Sequence, residues 1–323
     1  MSSQFRSFTR AHAGQALPIL AFITIVILLG VNFVAVRFSN AELPPFWGAA
    51  LRFIIASAIL FAIVAARRLP LPRGRALTGA TLFGVLVFGA TYGFAYWSLL
   101  YVSSGMAAVA FATMPLITVL IAVAVRLEQL TWRSIAGALL VFIGIGIVFQ
   151  EQLRADVPLL PLIVLLFGAL SGALATIAVK YFPKSHPVST NAVAMAVGAA
   201  ILVATSLLFG ETWRLPTLSA TWVALAWLIM SASVAFILMV WLLTRWTASA
   251  TSYSTVLQPL VTVVVAAWLA AEHISPLFAA GGLLALVGVY VGALTTQKSP
   301  TRPSATRRGA GWKLAPPPQT RKR

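Results

Sequence analysis

The chain has 323 residues, of which 60% are hydrophobic and 9% charged, against about a quarter charged in ordinary soluble domains, and this excludes a soluble globular domain. Twenty-three Lys and Arg against six acids give a formal charge of +17. That charge lies in short gaps between apolar runs and in the C-terminal stretch, the distribution that orients membrane proteins, not a basic stripe on a folded domain. Nucleic acid is therefore not an expected partner. The absence of cysteine rules out disulfides and thiolate metal or redox sites.

A basic segment, residues 1–18, precedes the first apolar run, Ile19 to Phe38. The run is too long for a secretory core of about 7–15 residues and matches the roughly twenty residues needed to cross hydrocarbon. Pro45 to Ala66, Leu77 to Leu99, Ser104 to Val125 and Trp132 to Phe149 follow. A second set comprises Pro158 to Val179, Ala192 to Phe209, Trp222 to Leu243, Ala250 to Ala271 and Pro276 to Leu294. Backbone polar groups in lipid must pair within their own segment, so each run reads as a helix. The expected fold is all-α and integral to the membrane, with ten transmembrane helices. Residues 297–323, with Pro316, Pro317 and Pro318 among basic residues, read as a disordered tail that can brush anionic lipid.

With a cytoplasmic N-terminus, that side receives Arg67, Arg68, Arg73, Arg75, Arg126, Arg133, Lys180, Lys184 and Arg245, besides the basic residues of both termini. The opposite side receives only Arg37, Arg154 and Arg214, together with Glu42, Glu151, Asp156, Glu211 and Glu272. The excess of Lys and Arg on one side places both termini in the cytoplasm.

A shift of 144 residues superposes Trp97–Gly144 on Trp241–Gly288 without a gap. It matches Trp97 with Trp241, Pro115 with Pro259, Glu128 with Glu272, Gly137 with Gly281 and Gly144 with Gly288. Apolar composition alone would match Leu and Val, but not Trp, Pro, Glu and Gly in register. The two copies are residues 19–149 and 158–294. Five spans per copy is an odd number, so the second enters the membrane in the opposite sense, the inverted repeat common in secondary transporters.

The two copies, YWSLLYVSSGMAAVAFATMPLITVLIAVAVRLEQLTWRSIAGALLVFIGIGIVF and WLLTRWTASATSYSTVLQPLVTVVVAAWLAAEHISPLFAAGGLLALVGVYVGAL, resemble the EamA family of the drug/metabolite transporter superfamily. Each has a small-residue helix, a proline, a Glu near the helix end and a Gly-spaced helix. ILLGVNFVAVRF and the LRF around Arg52 resemble it too, although Gly30 and Val31 stand where the family usually has Trp-Gly. The resemblance implies a multi-pass protein of the bacterial inner membrane that moves metabolites, with no cofactor. It leaves the solute unnamed and a homodimer open.

Arg52 is the one ionisable residue well inside an expected span, about 10 Å along the helix from Pro45 at 1.5 Å per residue. Intramembrane charges face a cavity or a partner, or snorkel to headgroups. Facing a cavity, Arg52 would favour a carboxylate-bearing solute. Tyr92 and Tyr96, four apart, share a helix face and are candidates to line that cavity. Asn32, Tyr253 and Gln258 bring hydrogen-bonding groups to depth, for solute or for interhelical contact. Pro115 and Pro259, mid-span, are candidate hinges, since each removes a helical hydrogen bond. Glu128 and Glu272 read as caps at the boundary, and the glycines as packing sites.

These residues support a secondary transporter, exporter or facilitator, for small metabolites such as amino acids or aromatic and amphipathic solutes. A membrane receptor or assembly protein on the same scaffold is the alternative. An enzyme is not expected, since His12, His186 and His273 are scattered, no metal cluster can be assembled and no GxxxxGK[ST] loop is present.

Overall fold

The computed structural model describes residues 2–127, 131–153, 159–270, 276–289 and 291. Glu128, Glu272 and the tail from residue 297 lie outside the described residues. Every regular element described is helical: α1 (Ser2–Asn40), α2 (Pro45–Ala66), α3 (Arg75–Phe83), a π-helical segment (Gly84–Thr91), α4 (Tyr92–Ser98), α5 (Ser104–Phe111) and α6 (Met114–Ala124), then α7 (Trp132–Leu153), α8 (Leu159–Tyr181), α9 (Pro187–Leu208), α10 (Ser219–Leu243), α11 (Ala248–Ser252), α12 (Ser254–Ala270) and α13 (Pro276–Val289). Eight described helical segments are long and apolar enough to cross a membrane. Helices α7 and α13 occupy the fifth and tenth apolar runs.

The two halves interleave. Helix α2 packs on α9, and α7 on α13, so equivalent helices of the two copies meet. Helix α1 packs on α10 and α12, while α8 packs on α3, the π segment, α4 and α6. The first helix of each copy thus lies against the third and fourth of the other. The copies also begin their fourth span with the same device. The Ser103 hydroxyl accepts from the Met106 N–H at 3.2 Å, and the Thr247 hydroxyl from the Ala250 N–H at 3.0 Å, N-caps 144 residues apart.

Three of the expected continuous spans are broken. The third contains the π segment, where the Leu86 carbonyl accepts from Thr91 Oγ1 at 2.9 Å and Ser171 Oγ at 2.8 Å. Side-chain hydroxyls there take up a carbonyl that i→i−4 bonding would otherwise use. The fourth span is interrupted at Ala112–Thr113, where the N–H of Thr113 donates to Ala110 O at 3.2 Å in a tightened turn. Pro115 therefore sits in the first turn of α6, a position in which its missing N–H costs nothing. The ninth span breaks at Tyr253, while Pro259 lies inside α12. Both interruptions precede the prolines, so the backbone irregularity is not at the prolines themselves.

Close approach requires glycine at a few positions. A Cβ at Gly198 of α9 would lie 2.1 Å from Phe88 Cβ, and one at Gly288 of α13 would lie 2.7 Å from the Gly137 carbonyl of α7. At Gly30 it would lie 2.7 Å from Val261 Cβ, and Thr262 Oγ1 donates to the Gly30 carbonyl at 2.8 Å. Helix α12 thus leaves no room for a side chain at Gly30.

Candidate functional site: a central cavity beside a buried arginine

A cavity lies near the middle of the helices, with about 710 Å³ of space free of protein atoms including its mouth, of which the centres of water molecules can occupy about 80 Å³. Both halves line it. Leu29, Asn32, Phe33 and Val36 come from α1; Phe83, Thr91, Tyr92 and Tyr96 from the third span; Phe111 and Met114 from the fourth. The second half supplies Gly172 and Thr176 of α8, Phe236 and Met239 of α10, and Thr255 and Gln258 of α12. Apolar walls with a few polar groups are the usual form of a small-molecule site.

The wall's polar groups divide into two sets. Several hydroxyls are spent on backbone carbonyls: Thr91 on Leu86 and Gly168, Thr176 on Gly172, and Thr255 on Ser252. Asn32 Oδ1 accepts from Ser231 Oγ at 2.8 Å, but Asn32 Nδ2, Tyr96 Oη and Gln258 Nε2 are buried with no hydrogen-bond partner among the described residues.

Arg52 is 0% exposed, so it does not snorkel to headgroups. Nor is it part of the cavity wall. Its Cζ lies 4.8 Å from the Tyr92 ring centroid and 4.9 Å from that of Phe53, with the Tyr92 and Tyr96 hydroxyls within electrostatic reach. Cation–π contact is worth about 2 kcal/mol when desolvated, short of the several kcal/mol that an unpaired buried charge costs. Nε and both Nη atoms lack a hydrogen-bond partner of ordinary geometry among the described residues. Phe88 and Phe236 complete an aromatic sheath, their ring centroids 6.3 Å and 5.9 Å from that of Tyr92.

Four of the six residues singled out as solute contacts in the sequence, Asn32, Tyr92, Tyr96 and Gln258, therefore meet at one cavity. Arg52 stands behind Tyr92. Tyr253 does not line the cavity; it packs with Val109, Ala112, Val141 and Val256. Thr91, Thr176, Thr255 and the Phe and Met walls carried no distinguishing mark in an apolar sequence. No group of His, Cys, Asp or Glu able to hold a metal occurs among the described residues.

The family model for the EamA-like transporter family matches residues 16–150 and again 159–293, one copy to each half. The chain belongs to this family. It is a membrane transporter, and proteins named as transporters match most of its length. The uncharacterized inner membrane transporter YedA of Escherichia coli K12 is 28% identical over 270 residues, covering 81% of this chain and 86% of that protein. The uncharacterized transporter YoaV of Bacillus subtilis is 25% identical over 285 residues, covering 85% and 96%. A probable amino-acid metabolite efflux pump of E. coli K12 is 24% identical over 285 residues, covering 83% and 91%. A solved crystal structure superposes with a TM-score of 0.71 at 19% identity, covering 86% of this chain and 96% of that one, a likeness of fold.

Away from the cavity, two carboxylates join the halves of this EamA protein on the face holding the α1–α2 and α9–α10 loops. Glu211 accepts from the N–H groups of Phe46 (3.0 Å) and Trp47 (2.8 Å) and from Ser206 Oγ (2.7 Å). Glu42 accepts from the N–H and hydroxyl of Thr217 and from the N–H of Leu218 (3.2 Å). The N-cap residues of α2 and α10, Pro44 and Leu218, offer no side-chain cap, so each exposed N-terminus takes its acceptor from the other half. These Thr217 hydrogen bonds, the hydroxyl's foremost, lower the Glu42 pKa to about 2. Trp47 and Trp213 stack over the junction, centroids 4.6 Å apart and planes within 5°. Gly210, at φ +66°, ends α9 and turns Glu211 towards α2, with the Glu211 N–H donating back to Ser206 O at 3.0 Å.

Proposed function

We propose that the protein is a secondary transporter, an exporter or facilitator, that carries small metabolites such as amino acids or aromatic and amphipathic solutes through the central cavity by alternating access. The observation that carries this reading is the cavity's placement: both halves contribute to its wall, near mid-helix, where inverted-repeat carriers hold their solutes. In this reading ten spans form two inverted five-helix repeats, residues 19–149 and 158–294, with both termini cytoplasmic. Rocking of one half against the other exposes the cavity to each side in turn.

The test is solute flux into and out of liposomes containing the purified full-length protein, with a panel of amino acids and aromatic metabolites. Saturable flux through the protein, competed by unlabelled solute, is expected. Binding without flux for the whole panel would favour a receptor on the same scaffold. Orientation is tested by single cysteines in this cysteine-free chain: Thr212→Cys labelled only from the outside and Ser185→Cys only from the cytosol.

A further inference from the structure

We propose that the cavity selects an apolar or aromatic monocarboxylate, its carboxylate held by Tyr92, Tyr96 and Asn32 in front of the Arg52 charge, in preference to a zwitterion or a cation of the same shape. The proposal rests on the cavity being the solute path.

Three observations lead there. Arg52 is a permanent cation, wholly buried within α2, with no hydrogen-bond partner of ordinary geometry for Nε or either Nη among the described residues, two aromatic faces against it and the Tyr92 and Tyr96 hydroxyls within electrostatic reach. A charge in that position is costly until an anion or hydrogen-bond acceptor arrives. Secondly, the unspent polar atoms of the wall are groups that can donate: Asn32 Nδ2, Tyr96 Oη and Gln258 Nε2. The bond from Ser231 to Asn32 Oδ1 assigns the free end of that amide as the N–H₂. Tyr92 interacts with Arg52, Asn32 and Tyr96, so the Asn32 and Tyr96 donors lie in one corner, and a carboxylate, which only accepts, complements them. Thirdly, the rest of the lining includes Phe33, Phe83, Phe111, Phe236, Met114 and Met239, and no Asp or Glu among the described residues lines the cavity. An apolar body fits there, whereas an ammonium group would find no anion.

Arg52 is a positioning residue in this scheme. Standing behind Tyr92 and not in the wall, it acts through the two phenols, whose oxygens lie within electrostatic reach of the guanidinium, so that a phenol accepting from Arg52 keeps its own proton for the solute. The charge and the donors thus favour the same ligand group.

The experiment measures equilibrium binding of phenylacetate, phenylalanine and phenethylamine to the purified full-length protein, with counterflow of each in liposomes. Phenylacetate should bind at least ten-fold more tightly than either of the others. Arg52→Gln should remove most of that preference, Arg52→Lys should restore part of it, and Tyr96→Phe should weaken phenylacetate several-fold. Asn32→Asp places a carboxylate in the corner and should invert the order in favour of phenethylamine, a readout that survives should Arg52→Gln fail to fold. Phenylacetate binding no tighter than phenethylamine, or undetectable, overturns the proposal, as does a preference unmoved by Asn32→Asp. Flux of phenylalanine or phenethylamine without phenylacetate would overturn the carboxylate assignment and leave the carrier reading intact. Absence of flux for the whole metabolite panel would overturn the carrier reading itself.

Discussion

Glu211 joins the loop after α9 to the start of α2 by hydrogen bonds to two backbone N–H groups and the Ser206 hydroxyl. Opening of this face between the halves must break the two backbone bonds. Glu211→Gln keeps the size and one acceptor oxygen, but loses the charge at a helix N-terminus and one bond. A net hydrogen bond to a charged group is worth about 1.5–3 kcal/mol and a favourable charge at a helix end about 0.3–1 kcal/mol. Since Glu211 is half-buried and glutamine recovers part of this, the loss should be about 1–2 kcal/mol, a factor of about 5–30 in an equilibrium constant. The reporter is a single cysteine at Val36, on the cavity wall near the same end of α1, reacted with a membrane-impermeant maleimide in proteoliposomes. Its labelling rate should rise about 5–30-fold with Glu211→Gln and stay near the original rate with Glu211→Asp. An unchanged rate in Glu211→Gln, at equal folded protein, would refute the idea that this carboxylate holds the face shut.

The Glu42 carboxyl, held at about 2 against an ordinary 4.5, is depressed on folding, so its contribution is complete above the ordinary value and is lost as pH falls towards 2. The melting temperature of Glu42→Gln should therefore lie below the parent at pH 7, and the gap should narrow as pH falls below about 4.5 and close only near pH 2. Gly198→Ala would place a Cβ 2.1 Å from Phe88 Cβ and 2.7 Å from the Phe88 carbonyl carbon. It should destabilise the α9 contact with the π segment by about 1–3 kcal/mol, read as a lower melting temperature in detergent, whereas Gly146→Ala, inside α7 with no neighbour within 4 Å, should not lower it. Glu42 and Glu211, the acids whose side chains are described, lie in loops on one face, so no embedded acid among them can relay protons. Flux in liposomes should persist without an imposed pH gradient, and strict dependence on one would contradict this.

Much of the fold was legible because hydropathy and backbone pairing in lipid are local rules. A run such as Pro45 to Ala66 must be helical wherever it packs, and α2 has those bounds. The 144-residue shift likewise led to matched caps at Ser103 and Thr247. Asn32, Tyr92, Tyr96 and Gln258 were conspicuous as polar or phenolic groups at depth, and the structure brings all four to the cavity. The interruptions were less visible. Prolines mark where a helix can yield, but the breaks fall at Ala112–Thr113 and Tyr253, and the π segment depends on Ser171, 85 residues from the Leu86 carbonyl it meets.

By itself the sequence determined the helices, the duplication and the membrane-spanning character of the chain, because these follow from the order of apolar and charged residues along it. Tertiary structure alone decided what each polar group meets. Nothing near Pro44 or Leu218 announces that Glu211 and Glu42 cap their helices, since the partners stand 165 and 175 residues apart. Nor could spacing say whether Arg52 would snorkel, line the cavity or stand behind Tyr92. A helix fixes the depth of a side chain through its rise, but the face it presents acquires meaning only from the helices packed against it, and here those come from both halves.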